Sequence, residues 1–274
     1  MRHLSIFMAV FVTCFISLSF ILCRNPALAQ ITIGKLSGFK GEVELVREGR
    51  SIPLKLNIPI VTKDRLKVEM GTAQITYDDG SILNIRPYTD LTLDQRKMRR
   101  KIMGIWSETY LSRLINISRG EISGIIEERK DLVTEFETPT LIAVVRGTTL
   151  NIEFDEETGT TTISSDVGVV DVFTHDGWTF VTLTDGNSVA VRLDRDEEGN
   201  VVGTTITNTG TGDVTVRSPE GETTLSEGMG TSVPSGEAPG PAEPYEPPER
   251  PGPEVPGEEL PPGLEITLEP ASPV

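Results

Sequence analysis

Between about Ile31 and Val233, apolar and polar residues alternate with a period of two, which sends successive side chains to opposite faces of an extended chain. Val43 and Leu45 alternate with Glu42 and Glu44, and Ala73, Ile75 and Tyr77 with Gln74 and Thr76. Val181 and Leu183 alternate in the same way with Thr182 and Thr184. Asp78-Asp79-Gly80, Glu157-Thr158-Gly159, His175-Asp176-Gly177, Asp185-Gly186 and Glu198-Gly199-Asn200 separate the runs. Such steps supply the positive φ angles of tight hairpins. Strands at this spacing predict an all-β domain. Residues 168–191 and 212–233 share one plan: Gly-x-Val-x-Val, a turn, a strand, a glycine turn, then another strand. Residues 41–56 open the same way. The plan predicts an elongated antiparallel sheet or a solenoid-like body of stacked short hairpins, although an ordinary β meander gives a similar pattern.

Three stretches break the alternation. Leu4 to Cys23 is an uncharged apolar run after a short basic start, followed by Ala27 and Ala29 at the −3 and −1 positions of a cut before Gln30. That is the layout of a secretory signal peptide over residues 1–29, with cleavage between Ala29 and Gln30. The length of the run leaves an uncleaved anchor as the alternative. From Pro234 onward the composition changes, and 13 of the 19 prolines fall in 234–274, among many glutamates and glycines. Proline removes the donor that strands and helices need, so 234–274 is predicted to be a disordered, Pro/Glu-rich acidic tail. Within it, Leu264 to Pro270 alternates enough to add one strand. The domain between, 30–233, is the expected β body. The third stretch, 94–120, carries Arg96, Lys97, Arg99, Arg100 and Lys101, then Trp106 and Tyr110 four residues apart. It reads as a long hairpin or short helix with solvated charges, or as a basic-aromatic patch for a membrane surface or acidic partner.

The chain carries a net charge of −16 over 274 residues, and removal of 1–29, with Arg2 and Arg24 but no acid, makes it −18. That balance repels phosphate backbones and anionic lipid headgroups, so no nucleic-acid partner is expected. Membrane association is expected only through an uncleaved N-terminal segment. Both cysteines, Cys14 and Cys23, lie in that segment, so an exported body has no disulfide, thiolate or cysteine nucleophile. The one other histidine besides His3 is His175, in a turn. No nucleophile elbow, zincin motif or Walker loop is present. Asp194, Asp196, Glu198 and Gly199 imitate the start of a calcium loop, but Thr205 stands where the bidentate carboxylate belongs, which favours a hairpin tip. Asn116-Ile117-Ser118 matches a glycosylation sequon inside an apolar run. No catalytic, cofactor or metal residues are assigned, and the expectation is a protein that is not an enzyme. A carboxylate-based envelope glycosidase has only the abundance of acids in its favour.

Thr138 to Phe154, "TPTLIAVVRGTTLNIEF", sets Arg146, Gly147 and Thr148 between two β-rich runs. Glycine inside a strand pattern marks a bulge or bend. A bulge here aims Leu150, Ile152 and Phe154 into the core, with Arg146 pinned near the bend by carbonyls or an acid.

This stretch also resembles the core of the FecR-type domain through Thr138, Pro139, Ala143, Val145, Arg146, Gly147, Thr148 and Phe154. Upstream, Asp79, Gly80, Ser81, Pro87 and Thr89 match the first half of that pattern. Downstream, Gly168 to Val172 and Asp185-Gly186 match its closing strands. The resemblance covers about residues 40–195, with 196–233 as a further hairpin repeat. It implies a non-enzymatic periplasmic sensor or surface module. Best-known members cross the inner membrane once, regulate a sigma factor from a cytoplasmic part and contact an outer-membrane iron transporter. Here three residues precede the apolar run, so that plan fits poorly. The expectation is a stand-alone exported FecR domain that binds, scaffolds or signals at the bacterial envelope, in the periplasm or at the cell surface. Its partner would be an envelope protein or a glycan. The alternative is a membrane-anchored sensor related to sigma-factor signalling.

Overall fold

The structure, a computed structural model, describes residues 31–102 and 106–245 (for 99–102 and 106–108, the backbone alone). The N-terminal segment, its Ala29–Gln30 junction and the Leu264–Pro270 alternation lie outside these residues. The described residues form seventeen strands and no helix: β1 (Thr32–Arg47), β2 (Arg50–Ile52), β3 (Pro59–Val61), β4 (Asp64–Tyr77), β5 (Ile82–Ile85), β6 (Thr89–Ile102), β7 (Trp106–Ile126), β8 (Leu132–Glu137), β9 (Leu141–Asp155), β10 (Thr160–Thr174), β11 (Phe180–Leu183), β12 (Asn187–Arg195), β13 (Val201–Asn208), β14 (Val214–Ser218), β15 (Gly221–Leu225), β16 (Met229–Pro234) and β17 (Glu243–Pro244). All join one hydrogen-bonded sheet.

Five long strands, β1, β4, β7, β9 and β10, each pair with different neighbours along their two halves. This splits the sheet into two ladders. The first runs β2, the end of β1, the start of β4, β6, the start of β7, β8, the start of β9, the end of β10, β11, β14, β15. The second runs β3, the start of β1, the end of β4, β5, the end of β7, the end of β9, the start of β10, β12, β13, β16, β17. Beyond β2 and β3, which flank β1, both follow chain order, as a body of stacked hairpins requires. Their inner faces share one apolar core, the way two amphipathic sheets remove apolar surface from water. Gly124 in the second ladder leaves room for the Phe136 ring of the first, which would lie 3.6 Å from a Cβ placed there.

The crossings between ladders are made at glycines. In β9 the buried positions are Leu141, Ala143 and Val145 before Gly147, and Thr148, Leu150, Ile152 and Phe154 after it, so the alternation slips by one residue. β10 slips likewise at Gly168, β7 at Gly120, and β4 near Gly71. A bulge adds one residue to one strand and re-aims the side chains beyond it. Without the slip, one half of each long strand would turn its apolar set to solvent. Gly168 has φ 94°, and a Cβ there would sit 2.7 Å from the Gly147 carbonyl oxygen. Only glycine meets both demands.

The repeated sequence plan has one structural meaning. β10–β11 and β14–β15 are each a hairpin of the first ladder followed by a strand of the second, β12 or β16. β1–β2 followed by β3 repeats it. The β1–β2 turn, Glu48-Gly49, has φ 51° and 75°, the two positive angles of a type I′ hairpin.

Residues 94–102 and 106–120 are strands paired as the long hairpin, the first of the two alternatives read from the sequence, and not a short helix; among the described residues, 97–102 pair only with 106–111. The four-residue spacing of Trp106 and Tyr110 therefore has no helical meaning. The sheet is also not wholly antiparallel: β8 runs parallel to β7, from Leu111↔Leu132 to Asn116↔Glu137. Moreover, residues 235–245, expected in the tail, turn back onto the body. Gly240 N donates to Ser232 O at 2.9 Å and Tyr245 N to Gly228 O at 2.9 Å. The Thr231 hydroxyl donates to Gly240 O at 2.8 Å. The remainder of the tail, 246–274, lies outside the described residues.

Candidate functional site

The sequence places Asp79-Gly80-Ser81 and Arg146-Gly147-Thr148 far apart in the chain, and the fold sets both against one short connection, Glu127-Glu128. Glu127 N donates to Ser81 Oγ at 3.1 Å. A Cβ at Gly147 would lie 3.1 Å from the Glu128 Cβ. Asp79 closes the β4–β5 turn by accepting Ser81 N at 3.1 Å, as aspartate does in tight turns. Its other oxygen accepts Arg113 Nη2 at 2.9 Å, with both side chains almost fully buried. The Arg113 guanidinium carbon lies 3.8 Å from the centre of the Tyr77 ring, a stacked cation–π contact. Tyr77 Oη and Arg113 Nε and Nη1 are buried without a hydrogen-bond partner among the described residues. Burial pushes the Tyr77 hydroxyl's pKa above its ordinary value, against the pull of the Arg113 charge. The sequence does hold a signal for Arg113: it shares the inward parity of Ile115 and Ile117, and a charge at an inward position needs a buried partner.

Thr148 Oγ1 donates toward the carbonyls of Arg146 and Val169, both at 3.1 Å, and so ties the two crossing strands together. Arg146 itself is exposed, and its guanidinium has no hydrogen bond or ion pair among the described residues. The pinned arginine expected from the sequence is therefore corrected: the bulge turns it outward, and no carboxylate or carbonyl among the described residues bonds it. Thr89, beside the Gly120 crossing, accepts Glu121 N at 3.1 Å. Pro139 sits apart from these motifs, at the other end of β9, between Thr138 and Thr140. Those two hydroxyls meet Thr161 Oγ1 at 2.8 and 2.6 Å, and His175 Nε2 lies 2.9 Å from Thr138 O. His175 thus serves a turn, with no nucleophile bonded to it. Neighbouring Asp176 accepts Thr174, Thr179 and Thr204 hydroxyls and two backbone amides. Asn116 is a β7 residue whose amide donates to Glu137 at 3.1 Å. Asp196 closes the β12–β13 tip through Asn200. Among the described residues, no three His, Cys, Asp or Glu side chains converge as a metal site.

The second ladder has one continuous feature on its outer face. Register aligns Gln74, Asn84, Ser123, Asn151, Ser164 and Ser188 in a single row over six neighbouring strands. All six are half-buried and flanked by inward residues. Gln74 Nε2 donates to Asn84 Oδ1 at 2.9 Å, and Ser37 Oγ donates to Gln74 Oε1 at 3.1 Å. At one end the row borders a depression of about 560 Å³ lined by Phe39, Lys40, Gln74, Asn84, Arg86 and Ser123. Sequence reasoning saw single polar alternates here, because a row exists only once cross-strand register is fixed.

No family model and no curated protein matches the chain. Two crystal structures of a candidate anti-sigma factor from Parabacteroides distasonis ATCC 8503 are similar to it at 16% identity, with TM-scores of 0.37 and 0.38. Each similarity covers 53% of this chain and 59% of that one, so this chain spans well under two thirds of that protein's length.

Proposed function

We propose that the chain is an exported, non-catalytic β module of FecR type that binds or scaffolds at the bacterial cell envelope. The observation carrying this reading is the meeting of Asp79-Gly80-Ser81 and Arg146-Gly147-Thr148 on Glu127-Glu128. Those motifs carry the resemblance to the FecR-type domain, and the contacts they make are packing and turn closure, which leaves recognition to the outer faces. The signal-like residues 1–29 and the acidic balance support export and solubility. Fractionation tests the reading: a processed chain beginning at Gln30 in the envelope or medium is expected, and a processed chain in the cytoplasm contradicts it. The length of the Leu4 to Cys23 run favours a second reading, a membrane-anchored envelope sensor. In that case N-terminal sequencing finds the segment retained.

A further inference from the structure

We propose that the outer face of the second ladder binds an extended, uncharged glycan strand. The inference rests on the envelope-binding reading above and names the class of partner.

Three observations carry it. First, the row from Gln74 to Ser188 contains no ionised side chain, in a chain of net charge −16. The charged groups of this face flank the row and do not interrupt it: Glu121 is paired with Arg86 at 2.8 Å and aligns with Glu153, and Asp166 accepts Asn151 Nδ2 at 3.4 Å. An uncharged row of amides and hydroxyls offers both donors and acceptors, which suits the hydroxyl and acetamido groups of a neutral sugar chain. Second, the spacing is regular. Neighbouring strands lie about 4.8 Å apart, so six strands span about 24 Å, and one strand spacing is close to the length of one sugar in an extended β-linked chain. Third, the row has apolar company. Phe39 lines the depression at its head, and Ile125 and Val167 are exposed in the adjoining row, aligned with each other through Thr149. Sugar rings have C–H faces that pack on such surfaces, while their equatorial hydroxyls reach polar neighbours. Arg86, held by Glu121 at 2.8 Å, adds a planar donor at the depression.

The test uses the full-length chain and two soluble probes, chitohexaose and cellohexaose, titrated by calorimetry, with pull-down on purified sacculi. The expected result is saturable binding to at least one hexasaccharide. Phe39→Ala and Asn84→Ala should each weaken it about tenfold, the scale of one lost stacking contact or hydrogen bond. Thr215→Ala, on the other ladder, should leave it unchanged, and circular dichroism confirms that each variant folds. Absence of binding to both probes and to sacculi overturns the proposal, as does equal binding by all variants. Capture of an envelope protein through this face, without glycan binding, overturns the glycan inference and leaves the envelope reading standing. A processed chain confined to the cytoplasm overturns both.

Discussion

Replacing Gly168 with alanine tests the crossings most sharply. The residue has φ 94°, and the new Cβ would meet the Gly147 carbonyl oxygen at 2.7 Å, Thr148 Oγ1 at 3.0 Å and Thr148 Cα at 3.2 Å. Two of those three are backbone atoms and cannot swing aside. Alanine in this conformation costs about 1–2 kcal/mol, and forcing two strands apart adds about 1–3 kcal/mol. Reduced freedom of the unfolded chain returns about 0.4–1 kcal/mol. These terms sum to about 1–5 kcal/mol, centred on about 3 kcal/mol, or roughly 6–12 °C in Tm for a domain of this size. Gly159 is the control: its φ is 63°, but nothing lies within 4 Å of a new Cβ. Gly159→Ala should therefore cost about 1 kcal/mol or less. Urea unfolding of both variants reads the difference. Equal losses would refute the claim that close backbone approach, beyond the dihedral, fixes glycine at the crossing.

Other predictions follow from the same geometry. Asp79→Ala should cost about 3–5 kcal/mol by stranding the buried Arg113 charge, and Asp79→Ala with Arg113→Met should recover part of it; urea midpoints check both, and a loss under about 1 kcal/mol for the single variant is contrary to a buried pair. Burial alone would raise the Asp176 and Asp94 carboxyls, but hydrogen bonds from Thr174, Thr204, Trp178 N and Thr179 to the first, and from Thr62, Arg96 and Gln95 N to the second, outweigh it and hold both below the usual range. The unfolded chain then binds more protons, so their stabilisation is present above about pH 4 and is lost as pH falls through the lower folded values; Asp176→Asn should flatten the acid side of the Tm profile. Truncation after Tyr245 should leave Tm unchanged, whereas truncation after Pro234 removes the contacts on Thr231 and Ser232, lowers Tm and bares a sheet edge that promotes association, which light scattering detects.

Much of this fold is legible in the sequence because period-two alternation and turn chemistry are local. Val181 and Leu183 are buried while Thr182 is not, as the pattern requires, and Asp79-Gly80 and Asp176-Gly177 do sit in hairpin turns, whereas Asp185-Gly186 carries the chain from β11 of the first ladder to β12 of the second. Gly147 could be read as a break because its neighbours change parity in the sequence itself. What was hidden is non-local. The sequence did not reveal that Gly147 faces Gly168, that Arg113 reaches Asp79, or that β8 lies parallel to β7, since each depends on which strands become neighbours. Arg146 was misread because a bulge can leave a side chain in solvent as readily as it can pin it. The polar row needed the register of six strands before its members could be seen as one surface. Proline content also misplaced the tail boundary: Pro239, Pro241 and Pro244 lie in an edge segment, where a missing donor costs little.

The crossings, the buried pair and the polar row all rest on one register, and cross-strand disulfide trapping measures it directly. In a Cys14→Ser/Cys23→Ser background, Asn84→Cys with Ser123→Cys places two cysteines at paired positions, where Cα separations of about 4.5–5.5 Å suit a disulfide. Asn84→Cys with Glu121→Cys shifts the pair by one diagonal, to about 7–8 Å, beyond easy bridging. The account predicts rapid oxidation of the first pair, read by mobility shift and mass spectrometry, and little of the second. Preferential bridging of Asn84→Cys with Glu121→Cys would contradict it.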